Sequence, residues 1–341
     1  MSEITLAPGR CWQYSHYVGR RATAGMGFSQ PVGVAAGKDG VLFVANRASP
    51  RITKATIDQD FISEFGRGGD EQGQFTWLTA IVLDQDERVY VADEWLNRIT
   101  IFDGDGNLLN TWGEAGDGEG QLSGPSGLAF DADDNIWIVN SLNSRVQKFT
   151  KDGNHLGGFG IKGSAEGELD MPWGITIDNN GDVYIADWNN HRVQKFSTGG
   201  THLRTFGSGI STGVSPDGGP PYMHATVREI EANPNDLNHP TGVAVDRDGD
   251  IYVTDWLNDR VQVFDRTGDF KDVLIGHSGM SKWGRTLLAA NPDIERKLEL
   301  AVQNIEPKRR FYRPVSVHVD ENGKVYVADC YRHRVQIYQK L

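Results

Sequence analysis

The sequence predicts an all-β fold, a six-bladed β-propeller. Three observations lead there: an arginine-ended motif that returns six times, a proline-led column in step with it, and four short strand patterns in each unit so marked. The motif is clear where Asn46-Arg47-Ala48-Ser49-Pro50-Arg51-Ile52 aligns with Asp93-Glu94-Trp95-Leu96-Asn97-Arg98-Ile99. It returns as Asn140 to Val146, Asp187 to Val193, Asp255 to Val261 and Asp329 to Val335. Its arginines, Arg51, Arg98, Arg145, Arg192, Arg260 and Arg334, are spaced 47, 47, 47, 68 and 74 residues apart. The second column, Pro31, Leu78, Pro125, Pro172, Pro240 and Pro314, keeps the same spacings. Self-similarity at a period of about 40–50 residues marks a repeat architecture.

Unit four displays its elements in order. Gly174-Ile175-Thr176-Ile177 is apolar and β-branched, as strand A. Asp178-Asn179-Asn180-Gly181-Asp182 gathers residues that accept positive φ, so it reads as a tight turn. Val183 to Asp187 is strand B, the alternating Arg192 to Phe196 is strand C, and His202 to Gly207 is strand D. Four antiparallel strands per unit is the pattern of a propeller blade. Unit six ends at Leu341, directly after its C strand, whereas Gln13 to Gly19 carries an unattached D-like pattern. In units one to three the D-strand glycine lies 12 residues before the next column position (Gly66 and Leu78, Gly113 and Pro125, Gly160 and Pro172), and Gly19 lies the same 12 before Pro31. The N-terminal strand is therefore expected to complete blade six and remove an exposed sheet edge. The expectation is one domain over residues 1–341.

Pro172-Trp173-Gly174-Ile175, Val183-Tyr184-Ile185-Ala186-Asp187 and Asn190-His191-Arg192-Val193-Gln194-Lys195-Phe196 together resemble the NHL repeat, and the resemblance covers essentially residues 11–338. It implies a six-bladed propeller. For function it implies little, because the family includes lyases, RNA binders, ligase-associated recognition modules and receptor-type domains. Family lyases that cleave peptidyl-α-hydroxyglycines carry zinc on histidines one residue after the proline column. Here that position reads Val32, Thr79, Ser126, Trp173, Thr241 and Val315, so no such zinc site is expected, and no cofactor is predicted.

Strand order decides which loops share a face. If A runs down from its proline, the D–A and B–C loops lie together on top and the short A–B and C–D turns lie below. Two top connections are long: Gly207 to Pro240 spans 33 residues and Gly276 to Pro314 spans 38, against 12 elsewhere. Loops of this length are often lids. The first insertion, about 208–236, is rich in Gly, Ser and Pro and reads as irregular. The second, about 277–311, reads as an amphipathic helix from Pro292 onward, expected over the top of blades five and six.

The candidate site is therefore the top face, which is aromatic. Trp77 and Trp173 break their columns, and Trp95, Trp188, Trp256 and Tyr331 occupy B–C loops, with Tyr312 close by. Met171, His239 and Arg313 stand just before the column, and Arg47 and Glu94 just after strand B. A concave aromatic patch with a few polar groups suits a small organic molecule or short peptide. His239 and Arg313, on adjacent blades, are the candidate catalytic pair, able to move a proton or hold an anion. His224 and His277 lie in the insertions. The repeated acids Asp93, Asp187, Asp255 and Asp329 with Asn46 and Asn140, the six arginines, and His191 and His333 recur by blade and read as architectural. Asp103-Gly104-Asp105-Gly106-Asn107 begins like a calcium loop but lacks its later ligands and reads as a hairpin turn.

Composition sets the outer limits. The net charge of −12 argues against a nucleic-acid partner, since phosphate binding needs a basic surface. Lys308-Arg309-Arg310 is the local exception and reads as a solvated run. No apolar run reaches the length of about 18 that a membrane helix needs. Met1 to Pro8 lacks a basic segment followed by an apolar one, and two cysteines, Cys11 and Cys330, are too few for a disulfide scaffold. A cytoplasmic location is expected. The function expected is ligand binding in a lidded top pocket, with lyase, hydrolase or isomerase chemistry; the alternative is a non-enzymatic scaffold gripping a protein partner with its top loops.

Overall fold

The computed structural model describes residues 4–7, 10–207, 235–277, 281–289 and 309–341. Among them, six antiparallel sheets form a ring, and each innermost strand packs against the innermost strands of both neighbours. The inner strands are Pro31–Ala36, Leu78–Leu83, Pro125–Phe130, Ile175–Ile177, Pro240–Val245 and Pro314–Val319. The B strands behind them, such as Val183–Asp187 and Ile251–Asp255, are buried along their whole length, which explains their continuous apolar sequences. Blade six takes its outer strand from the opposite end of the chain. Arg10–Val18 pairs antiparallel with Arg334–Lys340, Trp12 facing Lys340 and Val18 facing Val335, and Ile4–Ala7 adds a fifth strand outside it.

The apolar core divides into six clusters, one at each seam between blades. Every cluster contains one residue from a column three places before the proline: Phe28, Phe75, Leu122, Leu169, Leu237 and Phe311, none more than 1% exposed. Burying a side chain of this size contributes about 1.5–3 kcal/mol, so each D–A loop is anchored by its own wedge. On the lower face, the first residue of the A–B turn ties strand B down. Asp178, Asp246 and Asp320 accept from Tyr184, Tyr252 and Tyr326 hydroxyls at 3.1, 3.0 and 2.9 Å, and Asp131 accepts from Trp137 Nε1 at 2.9 Å. The Asp103 turn is a hairpin of the same kind, its carboxylate accepting from the Asp105 and Asn107 amides at 3.0 and 2.8 Å.

Residues 208–234, 278–280 and 290–308 lie outside the described residues; with them go His224 and the helix expected from Pro292. Within the second insertion, helix Lys282–Ala289 sits against the seam between blades six and one. Trp283, 3% exposed, meets Phe28 edge-on at 5.7 Å. Ser281 Oγ donates to Gly19 O at 2.7 Å, and the Lys282 amide donates to Gln59 Oε1 at 2.5 Å. No helix among the described residues is long and apolar enough to cross a membrane.

Convergence at the axis explains the glycine two residues after the proline. A Cβ on Gly127 would lie 2.4 Å from Trp173 O, and one on Gly174 would lie 2.4 Å from Thr241 O. Gly127→Ala is expected to lower stability by about 1–3 kcal/mol, read from urea unfolding midpoints. An unchanged midpoint would mean that the inner strands separate without cost.

Candidate functional site at the channel mouth

The six inner strands enclose a central channel of about 410 Å³, and Trp173 lines it. Apolar side chains line it together with the polar groups of Thr79, Ser126, Thr176, Thr241, Ser316 and His318. Three of the hydroxyls at the upper end are already engaged: Thr79 Oγ1 donates to Pro125 O at 2.7 Å, Ser126 Oγ to Trp173 O at 3.0 Å and Thr241 Oγ1 to Pro314 O at 3.4 Å. This ring is where family lyases place zinc-binding histidines. Its valines, tryptophan and inter-blade hydroxyls offer no ligand set, so zinc does not fit there. Among the described residues no three of His, Cys, Asp and Glu converge as metal ligands.

Two repeated devices hold the loops around the mouth. The first is a buried knot. Asp255 Oδ2 accepts from Arg260 Nε at 2.7 Å, Gln262 Nε2 at 3.1 Å and Asn258 Nδ2 at 2.9 Å, while its Oδ1 accepts the Asn238 amide at 2.6 Å. Asp187 and Asp329 repeat the arrangement with Arg192 and Arg334. Burial pushes both carboxyls above their ordinary value, and the arginine and amide donors oppose it. The arginines then clamp the D–A loop, as Arg192 Nη2 does on Ala165 O and Glu168 O at 2.7 and 2.9 Å.

The second device joins neighbouring blades. Gln30, Gly124, Met171, His239 and Arg313 enter strand A with φ of 54, 65, 47, 54 and 58°. Each amide donates to the side chain that precedes the arginine of the previous blade: His333 Nδ1 at 3.0 Å, Asn97 Oδ1 at 2.8 Å, Ser144 Oγ at 3.4 Å, His191 Nδ1 at 3.1 Å and Asp259 Oδ1 at 2.7 Å, respectively. Pro50 fills that position in blade one, and the Trp77 amide turns instead to Asp93 of its own blade at 3.1 Å. Sequence reasoning missed this staple, although the column Asn97, Ser144, His191, Asp259 and His333 holds an acceptor every time.

These devices present the remaining side chains as a collar. A residue just after strand B of one blade meets the residue just before the column of the next. Arg47 stacks on Trp77 at 4.9 Å, Trp188 meets His239 at 4.3 Å, and Trp256 lies under Arg313 at 4.9 Å. Trp188 and Trp256 are themselves 6.4 Å apart. Glu94 leans over Gly124, whose added Cβ would lie 3.6 Å from Glu94 Cγ. Tyr312 and Tyr331 stack at 5.3 Å beyond this arc. Met171 is held by its amide on Ser144 Oγ at 3.4 Å. Trp95 is not drawn in: it stands 74% exposed. His277 lies elsewhere, against Tyr14 at 5.4 Å.

His239 is the distinctive group. Its Nδ1 lies 2.8 Å from Asn238 Oδ1, which assigns the proton to Nδ1 and leaves Nε2 an acceptor with no partner among the described residues. Burial, then His191 (4.3 Å away, ring to ring) and Arg313, push its pKa down to about 4, so it is neutral at physiological pH. Arg313, 5% exposed, spends one donor on Trp256 O at 3.3 Å. Burial lowers Arg47 and raises Glu94, while their mutual attraction opposes both shifts. Burial also pushes the neighbouring Cys330 thiol up to about 12, which keeps it protonated at physiological pH.

Ring and collar together define a β-propeller, six blades of one repeat type. The NHL repeat model matches residues 122–149, 169–196, 237–264 and 311–338, blades three to six, and the chain is an NHL-repeat propeller. No curated protein matches it in sequence. Among solved structures, it is similar to a structural-genomics protein of unknown function from Bacteroides thetaiotaomicron (16% identity, TM-score 0.66, covering 97% of this chain and 76% of that one). It is also similar to streptogramin B lyase (12%, 0.59, 99% and 100%) and to a catalytically inactive variant of virginiamycin B lyase from Staphylococcus aureus with quinupristin (13%, 0.54, 98% and 93%). These likenesses show the fold.

The staple generates a pH prediction. His191, His239 and His333 all sit below the ordinary 6.5, so the unfolded chain binds more protons on acidification. Their stabilisation is complete above 6.5 and is lost as pH falls towards 4. His191→Asn keeps an acceptor, as Asn97 does in blade two, and is expected to hold stability at pH 7 and lose less than the native chain by pH 4.5. His191→Ala is expected to cost about 1–2 kcal/mol at pH 7. Urea melts at both pH values check this; identical pH slopes in all three proteins would refute it.

Proposed function

We propose that this propeller acts in the cytoplasm as a lyase-type enzyme that binds a small organic molecule or short peptide at the channel mouth. The observation that carries the reading is His239: a neutral imidazole with a fixed tautomer and an Nε2 with no partner among the described residues, beside an arginine stacked on tryptophan. Nε2 takes a proton from carbon next to a substrate carbonyl, and Arg313 stabilises the negative charge that builds on that carbonyl oxygen. The C–H electron pair becomes the new double bond, the bond to the leaving oxygen breaks, and that oxygen takes the proton back from the imidazolium. Trp173, Trp188 and Trp256 supply apolar contact, and Arg47 with Trp77 bounds the far side. A base held near 4 is weak, so the neighbouring cation must do much to acidify the substrate. Two of the similar structures are lyases by name, and the inactive one carries a histidine-to-alanine change.

With quinupristin as the probe, His239→Ala is expected to reduce turnover at least about 100-fold while the circular dichroism spectrum stays native, and Trp173→Ala to weaken binding. Turnover that titrates near 4 rather than 6.5 would mark His239 as the base. Unchanged affinity and turnover in both variants would reject the site.

A scaffold role has one observation in its favour. Trp95, Trp77 and Leu142 are 74, 46 and 56% exposed on the rim of blades two and three, open to a broad partner rather than folded around a cavity. One structural neighbour comes from a nidogen/laminin complex. A protein partner bound here would be lost in Trp95→Glu, with the chemistry at His239 untouched.

A further inference from the structure

On strand D, the residue beside each clamp arginine changes from blade to blade. Strand register places Glu64 opposite Thr53, Thr111 opposite Thr100, Gly158 opposite Gln147, Thr205 opposite Gln194, Val273 opposite Gln262 and Tyr17 opposite Gln336. In blade one this residue caps the arginine with charge: Glu64 Oε2 lies 3.0 Å from Arg51 Nε. In blade six it caps it with a ring: the Arg334 guanidinium lies 5.3 Å from the centre of Tyr17. Blades four to six also give Nε the carboxylate of strand B.

Blade three provides neither cap nor carboxylate. Asn140 replaces the acid, its oxygen accepting from the Ser123 amide and its Nδ2 donating to Gln121 O at 3.0 Å. Arg145 Nη2 clamps Gly118 O and Gln121 O at 2.5 and 3.3 Å, and its Nε is buried with no partner. Arg51 divides its donors in the same way, Nη2 to Ala22 O and Gly27 O at 3.1 and 3.0 Å, with Nε left for Glu64. Beside Arg145 a depression of about 480 Å³ opens on the outer rim, lined by Glu119, Gln147, His155 and the bare backbone of Gly157 and Gly158. The chain cannot fill it from position 158, because a Cβ there would lie 2.3 Å from Val146 O. A Cβ on Gly157 would meet nothing within 4 Å. Gln147 does not compete, its oxygen taken by the Gly120 amide at 3.0 Å and its nitrogen by Gln121 O at 2.7 Å.

We infer that this depression binds a carboxylate against the part of the Arg145 guanidinium that lines it, a counterpart from outside the chain to the Glu64–Arg51 pair. A charge-assisted bond to a guanidinium that forms no ion pair among the described residues supplies the attraction, and the missing side chain supplies the room. The carboxylate belongs either to a small dicarboxylic acid or to a glutamate side chain of an extended peptide. Glu119 opposes both and tunes the site.

The test titrates the full chain with sodium glutarate and, separately, with a peptide capped at both ends and carrying one glutamate, following the backbone amide resonances of Gly157, Gly158 and Gln147. Saturable shifts confined to these amides are expected. Arg145→Gln should weaken binding about tenfold, and the exposed Glu119→Gln, which leaves the clamp intact, should tighten it about twofold to threefold at low salt. The tighter probe identifies the source of the carboxylate. Absence of saturable shifts with both probes overturns the inference, and so does an affinity unmoved by Glu119→Gln. Neither result bears on the channel mouth.

Discussion

Six inner strands meet at one axis, and their upper ends leave no room for an ordinary turn. Five of the strands are entered through a residue in the left-handed region, and four of those residues carry a side chain. Such a conformation is uncommon away from glycine and costs of order 1 kcal/mol or more. It also turns an amide towards the neighbouring blade. Unpartnered, that amide would add a desolvation penalty of about 1–3 kcal/mol. The acceptor from the previous blade removes the penalty and makes each entry depend on the blade before it. Most other features of the top face follow: the buried knot fixes the loop that carries the acceptor, and the clamp arginine fixes the loop that carries the amide.

Because these contacts use backbone and a few columns, the side chains at the collar positions are free to vary. Arg47, Glu94, Ser141, Trp188, Trp256 and Cys330 occupy one position; Gln30, Trp77, Gly124, Met171, His239 and Arg313 occupy the other. Their alternation across seams produces cation–π pairs between blades one and two and between blades five and six, and an imidazole–indole pair between blades four and five. Two arginines and one glutamate thus stand at collar positions of a chain whose net charge is −12. Each arginine lies on an indole, which holds the cation in place and partly compensates its desolvation.

Much of this was legible in the sequence because columns in register leave a periodic trace. The arginine and proline columns identified the blades, and the orphan strand pattern at Gln13 to Gly19 corresponds to the strand that pairs with Arg334–Lys340. Among the collar residues, Trp77 stands out by breaking its column, and Trp188 and Trp256 by their shared place in the B–C loops. The staple was not found, since Asn97, Ser144, His191, Asp259 and His333 share only the ability to accept a hydrogen bond, which residue identity conceals. The apolar wedge from Phe28 to Phe311 mixes Phe and Leu in loops and resembles scattered hydrophobic residues until its spacing from the proline is counted. The helix around Trp283 carries no repeat signal, and its seat between blades six and one depends on the closure of the ring.

The distribution of buried carboxylates bears on how function and stability divide around the ring. Blades four to six have an aspartate that satisfies the clamp Nε, whereas blades one and three have asparagine, and in blade two Asp93 is turned to the Trp77, Trp95 and Leu96 amides. Accordingly Nε of Arg51, Arg98 and Arg145 lacks a hydrogen bond of good geometry. A buried ion pair is costly to break and adds modest net stability, so three complete knots favour a fixed loop geometry more than a larger free energy. His239 and Arg313 are carried by the D–A loops of blades five and six, inside the fully knotted half. Trp95, which stands outside the collar, and the partly exposed Trp77 belong to blade two, where the knot is open. His239 and Arg313 thus follow directly on the Asn238 and Tyr312 amides that the knotted Asp255 and Asp329 accept, whereas Trp77 and Trp95 flank an aspartate turned away from its arginine.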